Sequence, residues 1–115
     1  MSRVLIIEDD RETCDALACF FQISGHQVRC ASDGREGLAE ARREPPDIIL
    51  LDLMMPEMDG WGFRAEQKRD PSISGIPVVV VSALGRRDDI DATAFVPKPC
   101  DLDTVLGAVE RYAAH

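Results

Sequence analysis

The chain has 115 residues, 45% of them hydrophobic and 30% charged, which predicts one soluble globular domain spanning residues 1–115 with its own core. Its net charge of −8 leaves no basic face for a phosphate backbone, so nucleic acid is excluded as a direct partner. No apolar run approaches the ~20 residues a membrane helix needs, and the N-terminus lacks a signal-peptide pattern, so a cytoplasmic location away from membranes is expected.

Val4 to Ile7 is a first apolar run, read as a strand, and it ends in Glu8-Asp9-Asp10. Residues 11–24 switch to helical spacing, with Cys14, Leu17, Ala18 and Phe21 on one face and Gly25 to end the helix. Gln27 to Ala31 reads as a second strand. Ser32-Asp33 can cap a second helix, which carries Arg42 and Arg43 in its last turn and stops at Pro45.

Ile48 to Leu51 is a continuous apolar run leading straight into Asp52, the pattern of a strand buried on both faces. Pro56 and Asp59-Gly60 mark a turn after it. A third helix is expected over Trp61 to Arg69, although Gly62 lies inside it and its apolar positions are few. Pro77 to Val81 is a strongly β-branched strand ending at Ser82-Ala83. Ala94 to Val96 is a short last strand before Pro97-Lys98-Pro99. Asp101 caps a final helix striped by Leu102, Val105, Leu106 and Val109.

Alternating strands and helices with continuously apolar strands argue for an α/β fold, a parallel sheet with helices on both faces. Right-handed crossovers then favour a flavodoxin-like (βα)5 arrangement with strand order 2-1-3-4-5. The cysteines Cys14, Cys19, Cys30 and Cys100 show no Cys-x-x-Cys spacing, and free thiols are expected rather than disulfides or a zinc site.

In such a sheet, strand ends of one polarity meet at one edge, where open α/β sheets bind their ligands. Strand one delivers Glu8 and Asp9, strand three Asp52, strand four Ser82 and strand five Lys98. Closely packed carboxylates repel, and a hard divalent cation relieves that repulsion; Mg²⁺ suits one or two carboxylates, a backbone carbonyl and waters. A carboxylate beside the cation can act as a nucleophile on phosphorus. Lys98 supplies a compact positive charge for the phosphoryl oxygens, and Ser82 a hydroxyl to bond one of them. Taken singly, each residue has a plainer role: an acid after a strand often caps the next helix, as Asp10 is expected to do, and a lysine between prolines is usually a surface charge. Their joint arrival at successive strand ends favours the site.

These residues make the chain resemble the receiver domain of two-component response regulators over nearly its whole length. The resemblance rests on Ile6-Ile7-Glu8-Asp9-Asp10, the stretch Asp52-Leu53-Met54-Met55-Pro56-Glu57-Met58-Asp59-Gly60, Val81-Ser82-Ala83 and Lys98-Pro99. It implies that Asp52 accepts a phosphoryl group from a sensor histidine kinase or a histidine phosphotransfer protein. It implies that Glu8, Asp9, Asp52 and the Met54 carbonyl serve Mg²⁺, with Asp9 a direct ligand. Ser82 and Lys98 match the switch hydroxyl and the phosphate-pairing lysine, Phe95 falls where the family keeps an aromatic rotamer switch, and the Lys98-Pro99 bond would be cis. Enzymatic action would be confined to self-phosphorylation and autodephosphorylation. The signal would pass to a downstream protein or to an output domain outside this chain.

The sequence departs from that pattern twice. The span from Ser82 to Lys98 is shorter than the family's usual one, so the fourth helix is expected to be shortened or irregular. Gly85 to Asp91 carries one large apolar residue, Ile90, whose burial contributes about 1.5–3 kcal/mol. Ordering the backbone costs roughly 1–2 kcal/mol per residue, so this segment is expected to be short, mobile or irregular in the free domain and to order on phosphorylation or on binding a partner. Gln67 stands where a larger apolar side chain is expected. Two rival functions follow: a receiver-like interaction module working without phosphorylation, and a Mg²⁺-dependent phosphatase with an aspartyl nucleophile. Against the phosphatase, position 54 is Met, which cannot protonate a leaving group.

Overall fold

The computed structural model describes residues 1–83 and 89–113. Its elements run β1 (Arg3–Ile7), α1 (Arg11–Ile23), β2 (Gln27–Ala31), α2 (Gly34–Arg43), β3 (Ile48–Leu51), α3 (Gly60–Arg69), β4 (Val78–Ser82), β5 (Ala94–Pro97) and α4 (Leu102–Tyr112). The strands form one sheet in the order β2-β1-β3-β4-β5, every pairing parallel, as the sequence predicts.

The period-2 geometry of a strand explains the continuous apolar runs. On one face Val4, Ile6, Ile48, Leu50, Val79 and Val81 pack under α1 and α4, against Leu17, Phe21, Val105 and Val109. On the other, Leu5, Ile7, Ile49, Leu51, Val78 and Val80 pack under α2 and α3, against Leu38, Ala41 and Phe63. Each fully buried aliphatic side chain contributes about 1.5–3 kcal/mol, so β3, buried at all its positions, is the spine of both layers.

An aspartate caps each of these helices. Asp10, Asp33, Asp59 and Asp101 accept hydrogen bonds from the amides of Glu12, Glu36, Gly62 and Thr104. Such a cap contributes about 1 kcal/mol. Arg42 and Arg43 close α2 and Lys68 and Arg69 close α3, where cations favour the helix dipole. Gly25, at φ +94°, turns the chain out of α1 in a conformation other residues rarely adopt.

Gln67 explains its own departure from an apolar residue. It is fully buried, and its amide donates to the carbonyls of Ile73 (2.9 Å) and Ile76 (3.1 Å) while its oxygen accepts from Arg64. It supplies a donor to the Ile76 carbonyl and a second one to the Ile73 carbonyl, which also accepts from the Ile76 amide (3.2 Å).

The expectation of a mobile Gly85–Asp91 segment falls mainly on residues outside those described. Beyond them no helix forms between Asp89 and Thr93. Ile90 is buried in the α2–α3 layer. Arg64 donates to the Asp91 carbonyl (2.7 Å), Lys68 pairs with its carboxylate (3.2 Å), and the Thr93 amide donates to Val78 (2.8 Å). Polar bonds to α3 thus add to the single apolar anchor that the sequence offers.

The expectation for the cysteines is corrected. Cys14 on α1 and Cys30 on β2 form a disulfide, their Cα atoms 6.4 Å apart, while Cys19 and Cys100 are free and exposed. No local spacing announces the pair, because it is the return of the chain from α1 into β2 that brings positions 16 residues apart together.

Candidate functional site

The site is built at the carboxyl edge of the sheet. β1 and β3 are in register, Ile7 opposite Leu51, so the residues that follow them, Glu8 and Asp52, leave the sheet side by side. The Asp52 amide donates to the Ile7 carbonyl (3.0 Å) and the Glu8 amide to the Ala31 carbonyl (2.9 Å), which fixes both backbones. Carboxylate oxygens of Glu8, Asp9 and Asp52 lie within 4.8 Å of one another. Glu8 is buried, Asp52 half-buried and Asp9 exposed, so the cluster opens to solvent on the Asp9 side.

β5 brings in Lys98 through a cis Lys98-Pro99 bond. Its Nζ lies 2.7 Å from Glu8 Oε1 and 3.8 Å from Asp52 Oδ2. The Lys98 amide donates to the Ser82 carbonyl (3.0 Å), which holds the ends of β4 and β5 together, and Ser82 itself is buried. The Met54 amide points back at Asp52 Oδ1 (3.4 Å), while the Met54 side chain is exposed. Phe95 is half-buried on β5 against the α2–α3 layer. Glu8, Asp9, Asp52, Ser82 and Lys98 thus sit at the strand ends of this edge, with Met54 two residues beyond Asp52 and Phe95 on β5 opposite Val80.

The turn from Asp52 into α3 requires glycine at position 60. A Cβ on Gly60 would sit 2.8 Å from the Asp52 carbonyl oxygen and 2.7 Å from Leu53, so only glycine allows α3 to start this close to the site. Glu57 takes a positive φ of 62° in the same loop.

Burial pushes the Glu8 carboxyl above its usual range, the neighbouring Asp52 adds to this, and the Lys98 contact opposes it. Asp9 is raised too, by desolvation and by Glu8. Burial works against the Lys98 charge, yet its bond to Glu8 and the charges of Asp52 and Glu8 outweigh that and raise its pKa. The edge is thus short of positive charge even with Lys98 present. A hard cation fits this all-oxygen donor set, and soft metals do not, since neither His nor Cys contributes to the cluster.

Beside Asp52 and Lys98 opens a cavity of about 480 Å³, walled by Thr13, Ala16, Leu17, Pro99, Leu102 and Val105 among others. It gives access to the carboxylates from between α1 and α4.

The profile of the response regulator receiver domain matches residues 4–110. This chain belongs to the response regulator receiver family. The receiver is 32% identical to protein PilH of Pseudomonas aeruginosa, over 99% of each chain. It is 41% identical to the response regulator PleD of Caulobacter vibrioides over 96% of its own length. It is 36% identical to the DNA-binding transcriptional regulator RpaA of Synechocystis sp. over 95% of its own length. The receiver spans nearly all of PilH, about half of RpaA (48%) and a quarter of PleD (25%). In structure it superposes on the chemotaxis protein CheY4 of Vibrio cholerae with a TM-score of 0.89 at 26% identity, covering 97% of this chain and 98% of that one. It also matches a histidine-kinase receiver domain of Syntrophus aciditrophicus, with a TM-score of 0.88 at 29% identity, covering 97% and 89%.

The sequence reading missed two features near the site. One is the ion pair that holds the Lys98 ammonium against Glu8 at 2.7 Å, which strand-end spacing alone does not show. The other is the Cys14–Cys30 pair, which signals itself only through two cysteines flanking a predicted helix–strand connection.

Proposed function

We propose that Asp52 is the phosphoacceptor, taking a phosphoryl group from the phosphohistidine of a sensor histidine kinase or a histidine phosphotransfer protein. The observation that supports this most is the convergence at one strand edge of the Glu8, Asp9 and Asp52 carboxylates, within 4.8 Å of one another, with Lys98 in ion-pair reach of Glu8 and Asp52. Glu8, Asp9, Asp52 and the Met54 carbonyl would hold Mg²⁺. Bound there, the cation supplies charge neutralisation for carboxylates and phosphoryl oxygens.

An Asp52 carboxylate oxygen attacks phosphorus. The P–N bond to the donor imidazole breaks, and the released electron pair stays on the imidazole nitrogen, which takes up a proton. Lys98 turns from Glu8 to the new phosphoryl group, and Ser82 donates its hydroxyl to a phosphoryl oxygen. Rearrangement at Ser82 and Phe95 carries the change to a downstream partner or an output domain. The cavity between α1 and α4 supports entry of the phosphodonor on this side. The acidic charge supports protein rather than nucleic-acid partners, and among the described residues no helix is long and apolar enough to cross a membrane. We read residues 1–115 as one receiver domain acting in the cytoplasm.

Incubation with acetyl phosphate and Mg²⁺, followed by intact-mass measurement, tests this reading. A gain of one phosphoryl group, absent in Asp52→Asn, is expected. No gain in the wild-type protein would leave the phosphorylation-independent interaction module as the better account.

A further inference from the structure

We propose that Cys14 and Cys30 form a reversible thiol–disulfide site, taking low-molecular-weight disulfides as oxidant, whose state sets the cation affinity of the acidic edge. The coupling rests on the metal reading of Glu8, Asp9 and Asp52 given above.

The Glu8 amide is bonded to the Ala31 carbonyl, one residue beyond Cys30 (2.9 Å). The Cys14 amide is bonded to the Asp10 carbonyl (3.0 Å). The disulfide joins Cys14 to Cys30 and so closes a ring that runs through Glu8, Asp9 and Asp10 and returns through α1 and β2. Both ends of the acidic segment are thereby stapled to one covalent link. When that link opens, the start of α1 is tied to β2 by packing and a weak contact of the Cys30 sulfur with the Cys14 carbonyl (3.7 Å), and Glu8 and Asp9 lose part of their fixed placement. Fixed ligands bind more tightly because less ordering remains to be done on binding.

The pair is also reachable. Cys30 is half-buried, and both cysteines line an open cavity of about 400 Å³ that Glu8, Asp9 and Arg11 also wall. The redox site and the acidic edge thus share one solvent space.

The chemistry balances with one co-reactant. The Cys30 thiolate attacks one sulfur of a small disulfide, forming a mixed disulfide and releasing one small thiol. The Cys14 thiolate then attacks Cys30 sulfur, forming the Cys14–Cys30 bond and releasing the second small thiol. The protein loses two electrons and two protons, and the small disulfide gains them. A small thiol in excess reverses both steps.

The test uses the full chain with Cys19→Ser and Cys100→Ser, so that only the pair reports. The protein is equilibrated across cystamine/cysteamine ratios, cystamine being a cationic disulfide suited to the acidic cavity. Iodoacetamide then traps free thiols, and intact mass counts them. The same samples are melted across a Mg²⁺ series, which yields the cation affinity of each form. Two labels should give way to none as the ratio becomes oxidising, and Mg²⁺ should bind about fivefold more weakly to the reduced form, at the low end of ordinary coupling between sites. Cys30→Ser should match the reduced form; should that variant fail to fold, the reduced parent protein carries the comparison. Two labels at every ratio would overturn the disulfide site. Equal Mg²⁺ affinity in both forms would overturn the coupling alone, and no Mg²⁺ binding in either would overturn the coupling together with the metal reading.

Discussion

The Lys98 ammonium lies 2.7 Å from a Glu8 oxygen but 3.8 Å from the nearer Asp52 oxygen. The ammonium proposed to meet the phosphoryl group is therefore held by a buried acid at the end of the neighbouring strand. Replacing Lys98 by Met leaves Glu8 buried without its cation. Without Mg²⁺ at neutral pH, Lys98→Met should lose about 1–3 kcal/mol in urea unfolding, the cost of stranding a buried partner. Glu8→Gln in that background should recover most of the loss. Lys98→Met should still accept phosphate when Mg²⁺ is supplied, with the conformational response blunted. Complete loss of phosphate uptake would place Lys98 in the chemical step instead.

The acidic edge sets a pH dependence whose sign is fixed. Glu8 and Asp9 both hold protons more tightly in the fold than at their ordinary values of 4.5 and 3.8. The native state therefore binds more protons than the unfolded chain, and these two groups make stability fall as pH rises from those values through the raised ones. Asp10, Asp70 and Asp101 are shifted downward and act in the opposite sense at lower pH. The difference in melting temperature between wild type and Glu8→Gln, measured without Mg²⁺, isolates the Glu8 part and should grow toward neutral pH. Stabilisation by Mg²⁺ should grow across the same window, because the ligands must be deprotonated. Asp9→Ala should lose most of that stabilisation; a full Mg²⁺ shift in Asp9→Ala would remove Asp9 from the ligand set.

Gln67 secures the α3–β4 loop through the carbonyls of buried Ile73 and half-buried Ile76. Gln67→Leu fits the expected apolar pattern yet should be destabilising by about 1–3 kcal/mol, since the Ile76 carbonyl loses the Gln67 donor and the Ile73 carbonyl keeps only the Ile76 amide. Urea unfolding measures this. Unchanged stability would show that water replaces the amide at no cost.

Gly60 allows α3 to begin against Asp52. Gly60→Ala should cost about 1–3 kcal/mol, the usual penalty of overpacking. It should also slow phosphorylation by acetyl phosphate, because the added Cβ meets the Asp52 carbonyl. Thermal melts and single-turnover mass measurements on the same variant separate the two effects.

Most of the fold was legible because its signals are local. The runs Val4–Ile7, Ile48–Leu51 and Val78–Val81 are apolar at every position, and only a sheet covered on both faces accommodates that. Aspartates at positions 10, 33, 59 and 101 mark helix starts. The placement of the candidate site was legible for the same reason, since Glu8, Asp52, Ser82 and Lys98 end or follow readable strands. What stayed hidden depends on contacts between distant segments. Gln67 reads as a misplaced polar residue until the carbonyls it serves are known. Cys14 and Cys30 read as unrelated thiols until α1 folds back on β2. The anchoring of Asp91 by Arg64 and Lys68 joins segments whose sequences give no sign of each other.

The most direct test of the account is to locate the phosphoryl group. Protein treated with acetyl phosphate and Mg²⁺ is reduced with borohydride, which converts an acyl phosphate to an alcohol, and is then digested and sequenced by mass spectrometry. The account predicts homoserine at position 52 and unmodified aspartate at positions 9, 10 and 59. Homoserine at another position with Asp52 intact, or no homoserine in protein that binds Mg²⁺, would contradict it.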